Sequence, residues 1–133
     1  MPALSVYAIR AAMLHLLLGF STGAILLVNK AFALHPALWS LLPAHIDFLL
    51  FGWTTQLAMG VADWILPRFP RSPKRGNRVL AGLAFAFLNL GVILVALSTW
   101  VGFSSAAKLS GRALELAGIA AFAFIAWRRI ETR

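Results

Sequence analysis

Four long apolar runs divide the chain, and the charged residues gather mostly in the short breaks between them. The runs cover roughly residues 7–28, 43–66, 79–101 and 109–127. About twenty apolar residues span the hydrocarbon core of a bilayer as a helix, and backbone amides in lipid must find partners within their own segment. The pattern predicts an all-α membrane protein: a single domain built as a four-transmembrane-helix bundle, with no room for a soluble domain.

Inside the runs, the polar and small residues recur at helical spacing. In the first run His15, Gly19, Thr22, Leu26 and Asn29 share one stripe at about 100° per residue. The next loop carries His35-Pro36 and Trp39, residue types suited to a membrane interface. The second run starts at Pro43, favoured in a first helical turn. Its stripe is His45, Leu49, Gly52, Gln56, Met59, Gly60 and Asp63, and Asp47 is expected to point away from it. The third run is aliphatic except for Gly82, Asn89, Gly91, Ser98 and Thr99, small residues of the kind that let helices approach. The fourth opens near Lys108 to Arg112, contains Glu115 and Gly118, and closes at Trp127-Arg128-Arg129.

Composition supports the membrane reading. The chain is 61% hydrophobic and 12% charged, where a soluble domain carries about a quarter charged residues. Its net charge of +8 would suit nucleic acid, but the placement indicates topology instead. With four threaded helices, Arg10, Arg68, Arg71, Lys74, Arg75, Arg78, Arg128, Arg129 and Arg133 fall on one side, and Lys30, Lys108 and Arg112 on the other. That asymmetry predicts both termini cytoplasmic, with the basic loop also able to hold anionic lipid. Ala31-Phe32-Ala33 mimics a signal cleavage site, yet no basic segment precedes the first run and Asn29-Lys30 interrupt it, so a retained helix is expected. The absence of cysteine excludes disulfides, thiolate metal sites, iron–sulfur clusters and covalently attached c-type haem.

Candidate chemistry centres on the histidines. His45, at the edge of the second run, is either an axial haem ligand or a ring hydrogen-bonded at the headgroup level. Gly52, two turns further in, would free space for a porphyrin face; Gln56 and Asp63 continue that face or bond to neighbouring helices. His15 lies about 10 Å from the inner end of its helix and His45 at the outer end of the next, so the two cannot grip one iron within a protomer. His15 is then a second metal site or a structural histidine. His35, His45 and Asp47 offer a copper-type donor set. Arg112 either pairs with Glu115 or, with Lys108, meets haem propionates. Phosphate-cradling loops and nucleophile elbows are absent, and four acidic residues make paired-carboxylate hydrolysis improbable.

The run from His45 through Gly52-Trp53, Thr55-Gln56-Leu57 and Trp64-Ile65-Leu66-Pro67-Arg68 resembles the second transmembrane helix of haem–copper oxidase catalytic subunits, in the style of the cbb3-type, ba3-type and nitric oxide reductase branches. Leu16-Leu17-Leu18-Gly19-Phe20 is similar to that family's first helix. The resemblance covers about Leu14 to Arg68 and implies that His45 ligates a low-spin haem b in a bacterial or archaeal cytoplasmic membrane. The later helices that carry the second ligand and the copper-binding histidines have no counterpart here, so a complete oxidase is not implied. The expected function is electron transfer or haem-based sensing, with haem shared by a homodimer and a respiratory-chain redox partner. The alternatives are a haem-free accessory subunit of a respiratory membrane complex and an outer-face copper binder.

Overall fold

The computed structural model describes residues 1–66, 77–100 and 105–131, and among these it is helical almost throughout, with no strand. In chain order the elements are α1 (Ala3–Phe32), a 3-10 turn (Pro36–Leu41), α2 (Leu42–Asp47), a π-helical segment (Phe48–Thr55), α3 (Gln56–Ile65), α4 (Arg78–Trp100) and α5 (Ser105–Glu131). Three of them, α1, α4 and α5, are long and apolar enough to cross a membrane. The second apolar run is helical from Leu42 to Ile65, but in three pieces with the π segment in the middle. Arg68, Arg71, Lys74, Arg75 and Arg133, which contribute to the charge asymmetry, lie outside the described residues, as does the expected end of the third run at Val101.

Helix α1 outruns its apolar stretch at both ends and stops where the backbone reverses at Ala33. There φ is 49°, a left-handed conformation, and the Ala33 amide donates to Asn29 O at 2.8 Å. The Asn29 side chain accepts the His35 amide at 2.9 Å, and Pro36 then starts the 3-10 turn with its fixed φ.

Two pairs of helices form the bundle. Helix α1 packs along α2, the π segment and α3, while α4 and α5 pack against each other at close range. The second pairing depends on missing side chains. A Cβ at Gly91 would lie 2.7 Å from Gly111 O, and one at Gly118 would lie 2.7 Å from Ala84 O. Backbone carbonyls cannot step aside as a flexible side chain can, so these positions set the helix separation. Ala44 and Phe48 meet Val92 and Ala96 where the two pairs join, with Phe51 packed alongside.

The distribution of polarity is the reverse of a water-soluble core. Leu14, Leu17, Phe20, Leu27 and Leu116 stand on the outside, whereas His15, Thr22, Asn29, Asp47, Gln56, Asp63, Glu115 and Arg129 are buried. Lipid accepts the apolar outer surface, and the polar groups find partners inside.

Candidate functional site

The seam between α1 and the second run carries two histidines, each held by the opposite helix. His15, on α1, places Nδ1 3.2 Å from the carbonyl oxygen of Gly52 in the π segment. His45, on α2, places Nδ1 2.8 Å from the carbonyl oxygen of Gly19 on α1. A carbonyl only accepts, so each Nδ1 carries its proton and donates; in the neutral ring Nε2 is then an acceptor with a free lone pair. Both rings fit because a glycine faces them. A Cβ at Gly52 would lie 2.6 Å from His15 Cγ, and one at Gly23 would lie 2.6 Å from His45 Cε1. Gly23 is eight residues from His15 along α1, which separates the two imidazoles by about 12 Å along the seam. They do not share one metal ion.

The π segment explains the difference between the expected and the observed inner face of the second run. Buried positions are Ala44, Asp47, Phe48, Gly52, Gln56, Gly60 and Asp63. Five residues separate Asp47 from Gly52, which in an α-helix puts them about 140° apart. With i→i+5 bonding the same five residues make roughly one turn, so both face inward. The hydroxyls of Thr54 and Thr55 keep that spacing, donating to Leu49 O and Leu50 O five residues back at 2.9 and 2.8 Å. The expectation that Asp47 points away is therefore corrected: its side chain is fully buried, while His45 is only half-buried.

Asp47 is buried because it has a partner. Arg112 on α5 donates through Nη1 both to Asp47 Oδ1 and, at 3.1 Å, to Glu115 Oε2 one turn further along. The guanidinium also lies 5.6 Å from the centre of the Phe51 ring. The remaining oxygens, Asp47 Oδ2 and Glu115 Oε1, are buried with no hydrogen bond to a described residue. Gly91 leaves the space for Glu115, whose Cγ would be 2.7 Å from a Cβ there. This cluster ties α2 to α5 towards one end of the bundle.

A second cluster closes the other end. Asp63 on α3 accepts from Ser5 Oγ at 3.0 Å, from Arg78 at 3.3 Å and from Arg129 at 3.1 Å. Arg129 also donates to the carbonyl oxygens of Asp63 and Leu66. One carboxylate thus joins α1, α3, α4 and α5. Read along the sequence, Arg78 and Arg129 are topology-setting charges; the structure adds that Arg129 is buried and serves as a tie between helices.

The residues singled out for a haem are largely occupied by the chain itself. The space at Gly52 is filled by the imidazole of His15 rather than left for a porphyrin. Gln56 donates from Nε2 to Ala8 O at 3.2 Å, and Arg112 holds two carboxylates. His45 alone keeps a partly exposed ring with a preset Nε2. For the copper-type set, His35 Nδ1 accepts the Ala37 amide and Asp47 is paired with Arg112; among the described residues no three His, Cys, Asp or Glu side chains gather as a metal site. Gly19 was legible as part of the stripe of the first run, but nothing in the sequence marks it, or Gly23, as the seat of Leu49 or His45. Compared with known protein families, characterised proteins and solved structures, the chain matches none.

Proposed function

We propose an integral membrane protein of four spans, both termini on the cytoplasmic side, that binds a b-type haem at the opposite half through His45. The single observation behind this reading is the bond from His45 Nδ1 to Gly19 O. Histidines that ligate metals characteristically donate their other ring nitrogen to a carbonyl or carboxylate, which fixes the tautomer and orients Nε2. Because the imidazole of His15 occupies the space at Gly52, the haem would sit on the surface at His45, between two copies of the chain, with each copy offering its His45 as one ligand. The haem iron would supply one-electron chemistry; the chain's own part is to orient the imidazole through Gly19 and Gly23. The resemblance of the His45 to Arg68 run to an oxidase helix points the same way. The span count takes the helical run Leu42 to Ile65, with its three pieces together, as a span beside the three long helices, and the orientation follows the charge asymmetry in the sequence.

An absorption spectrum of the detergent-purified protein tests it. The expected result is a six-coordinate low-spin b-type spectrum with one haem per two chains, lost in His45→Ala and kept in His15→Ala. A colourless protein that cannot be reconstituted with haem overturns the reading. It would leave the second one, a haem-free accessory bundle of a respiratory membrane complex, which is favoured by the internal use of Gly52, Gln56 and Arg112.

A further inference from the structure

A cavity of about 520 Å³ opens between α1 and α4, above the ring of Phe48. Its size lies within the range of pockets that hold small organic ligands. His15 is in its wall, stacked on Phe48 with ring centres 5.8 Å apart and planes at 22°. The mouth is flanked by Leu14, Leu18 and Leu97, all exposed on the apolar outer surface, so the cavity opens sideways towards lipid rather than towards water.

The few polar groups in the wall have a common character. Ser21 and Thr22 spend their hydroxyl hydrogens on carbonyls of their own helix, and Asn89 spends one of its two amide hydrogens on Phe85 O. His15 spends its Nδ1 hydrogen on Gly52 O, and no described residue bonds its Nε2. Among the described residues, no Lys, Arg, Asp or Glu lines the cavity. The two propionates of a haem would find no counter-charge there, and a quinone carbonyl would find no donor on His15. A neutral molecule with an apolar body and a hydroxyl to donate is complementary.

We propose that this cavity binds a lipid-soluble phenol, of which an isoprenoid hydroquinone is the natural type, with its ring beside Phe48 and its hydroxyl donating to Nε2 of His15. An aromatic hydroxyl is a stronger donor than an aliphatic one, and a flat ring continues the stack that His15 and Phe48 begin. The tail leaves through the lateral mouth into the bilayer. The site is separate from His45 and does not depend on haem being bound.

Equilibrium binding to the purified protein in lipid nanodiscs under anaerobic conditions tests the assignment. Four probes are compared: a short-tailed hydroquinone, its quinone, a 4-alkylphenol of equal tail length, and an aliphatic alcohol of matched hydrophobicity. The hydroquinone and the alkylphenol should both bind about tenfold tighter than the quinone, the weight of one hydrogen bond, and the alcohol, a weaker donor with no ring to stack on Phe48, should also fall below them. A hydroquinone that binds well above the alkylphenol would assign the site to quinols in particular; equal binding would assign it to phenols at large. His15→Phe, which keeps a ring against Gly52 and Phe48 but removes the acceptor, should bring the hydroquinone, the alkylphenol and the quinone to within about twofold of one another. Leu18→Trp, at the mouth, should weaken all four and leave His15 untouched. Equal binding of all four probes to the unaltered protein, or a preference for the phenols over the quinone that survives His15→Phe, overturns the proposal and makes the cavity a groove for lipid chains. Because the readout is probe selectivity, loss of haem in His45→Ala does not bear on it.

Discussion

Removal of Arg112 should be costly, because one guanidinium holds two buried carboxylates. Its guanidinium is the only described hydrogen-bond partner of the Asp47 and Glu115 carboxylates, which are 0% and 2% exposed at the side chain. Removing one partner of a buried ion pair costs about 3–5 kcal/mol, because the other charge stays behind without compensation. Here two carboxylates lose one cation, but the Arg112 side chain is 38% exposed and water can enter where it leaves. The lower end of the range, about 3 kcal/mol, is therefore expected for Arg112→Met, a fall of roughly 10 °C in apparent Tm for a chain of this length. The diagnostic variant is the triple one, Asp47→Leu with Arg112→Met and Glu115→Met. A buried ionic triad replaced as a unit by apolar residues of similar volume is generally neutral or stabilising. It should return to within about 1 kcal/mol of the original protein, although it contains the same Arg112→Met change. Thermal unfolding in one mild detergent at one scan rate gives the comparison, since such unfolding is often irreversible. A single variant as stable as the parent, or a triple variant no better than the single one, would refute the account of the cluster.

Further expectations concern individual contacts. Gly52→Ala places a methyl 2.6 Å from His15 Cγ and should destabilise the bundle by about 1–3 kcal/mol, read as a lower Tm, while Gly82→Ala, with no described atom within 4 Å, should leave it unchanged or raise it. Gln56→Met removes one hydrogen bond but also a buried oxygen that has no partner among the described residues, so stability should move by less than about 1 kcal/mol in either direction. Ala33→Gly relieves the left-handed backbone after α1 and should raise stability by up to about 1 kcal/mol in the same assay.

Much of the bundle was legible in the sequence, because apolar runs and helical periodicity are local signals. The stripe His15, Gly19, Thr22, Leu26 and Asn29 is buried as the period predicts, since α1 is a regular helix throughout. Gln56 and Asp63 bond to neighbouring helices, one of the two roles their positions allow, and Arg112 pairs with Glu115 at the spacing of one turn. The second run was harder to read, because periodicity arguments assume a constant number of residues per turn. From Ala44 to Phe48 the inner face is displaced, and no residue type in Phe48–Thr55 announces the wider winding. The partners of His45 were equally hidden. Its bond is to a backbone carbonyl of α1, and every residue has one, so composition cannot indicate which will be used.

The π segment leads to a last prediction, in which a deletion is better tolerated at one place than at another. A π turn holds one residue more than an α turn, so removing an outward-facing residue such as Leu50 allows regular α-helix to form. Asp47 and Gly52 then become four apart instead of five and still face inward, keeping the pair with Arg112 and the seat for His15. Removing Ala58, an exposed residue in the regular helix α3, has no such slack. It would turn everything before it by about 100° relative to Asp63, so that the Asp47 cluster and the Asp63 cluster could not both form. Deletion of Leu50 should therefore keep a cooperative thermal transition, with a loss of no more than about 2 kcal/mol, whereas deletion of Ala58 should abolish the transition or the folded yield. If the run were an ordinary α-helix, the two deletions would be equally destructive, because each would rotate Asp47 away from Arg112. Equal damage would therefore remove the π segment from the account, and with it the reason Asp47 faces the interior.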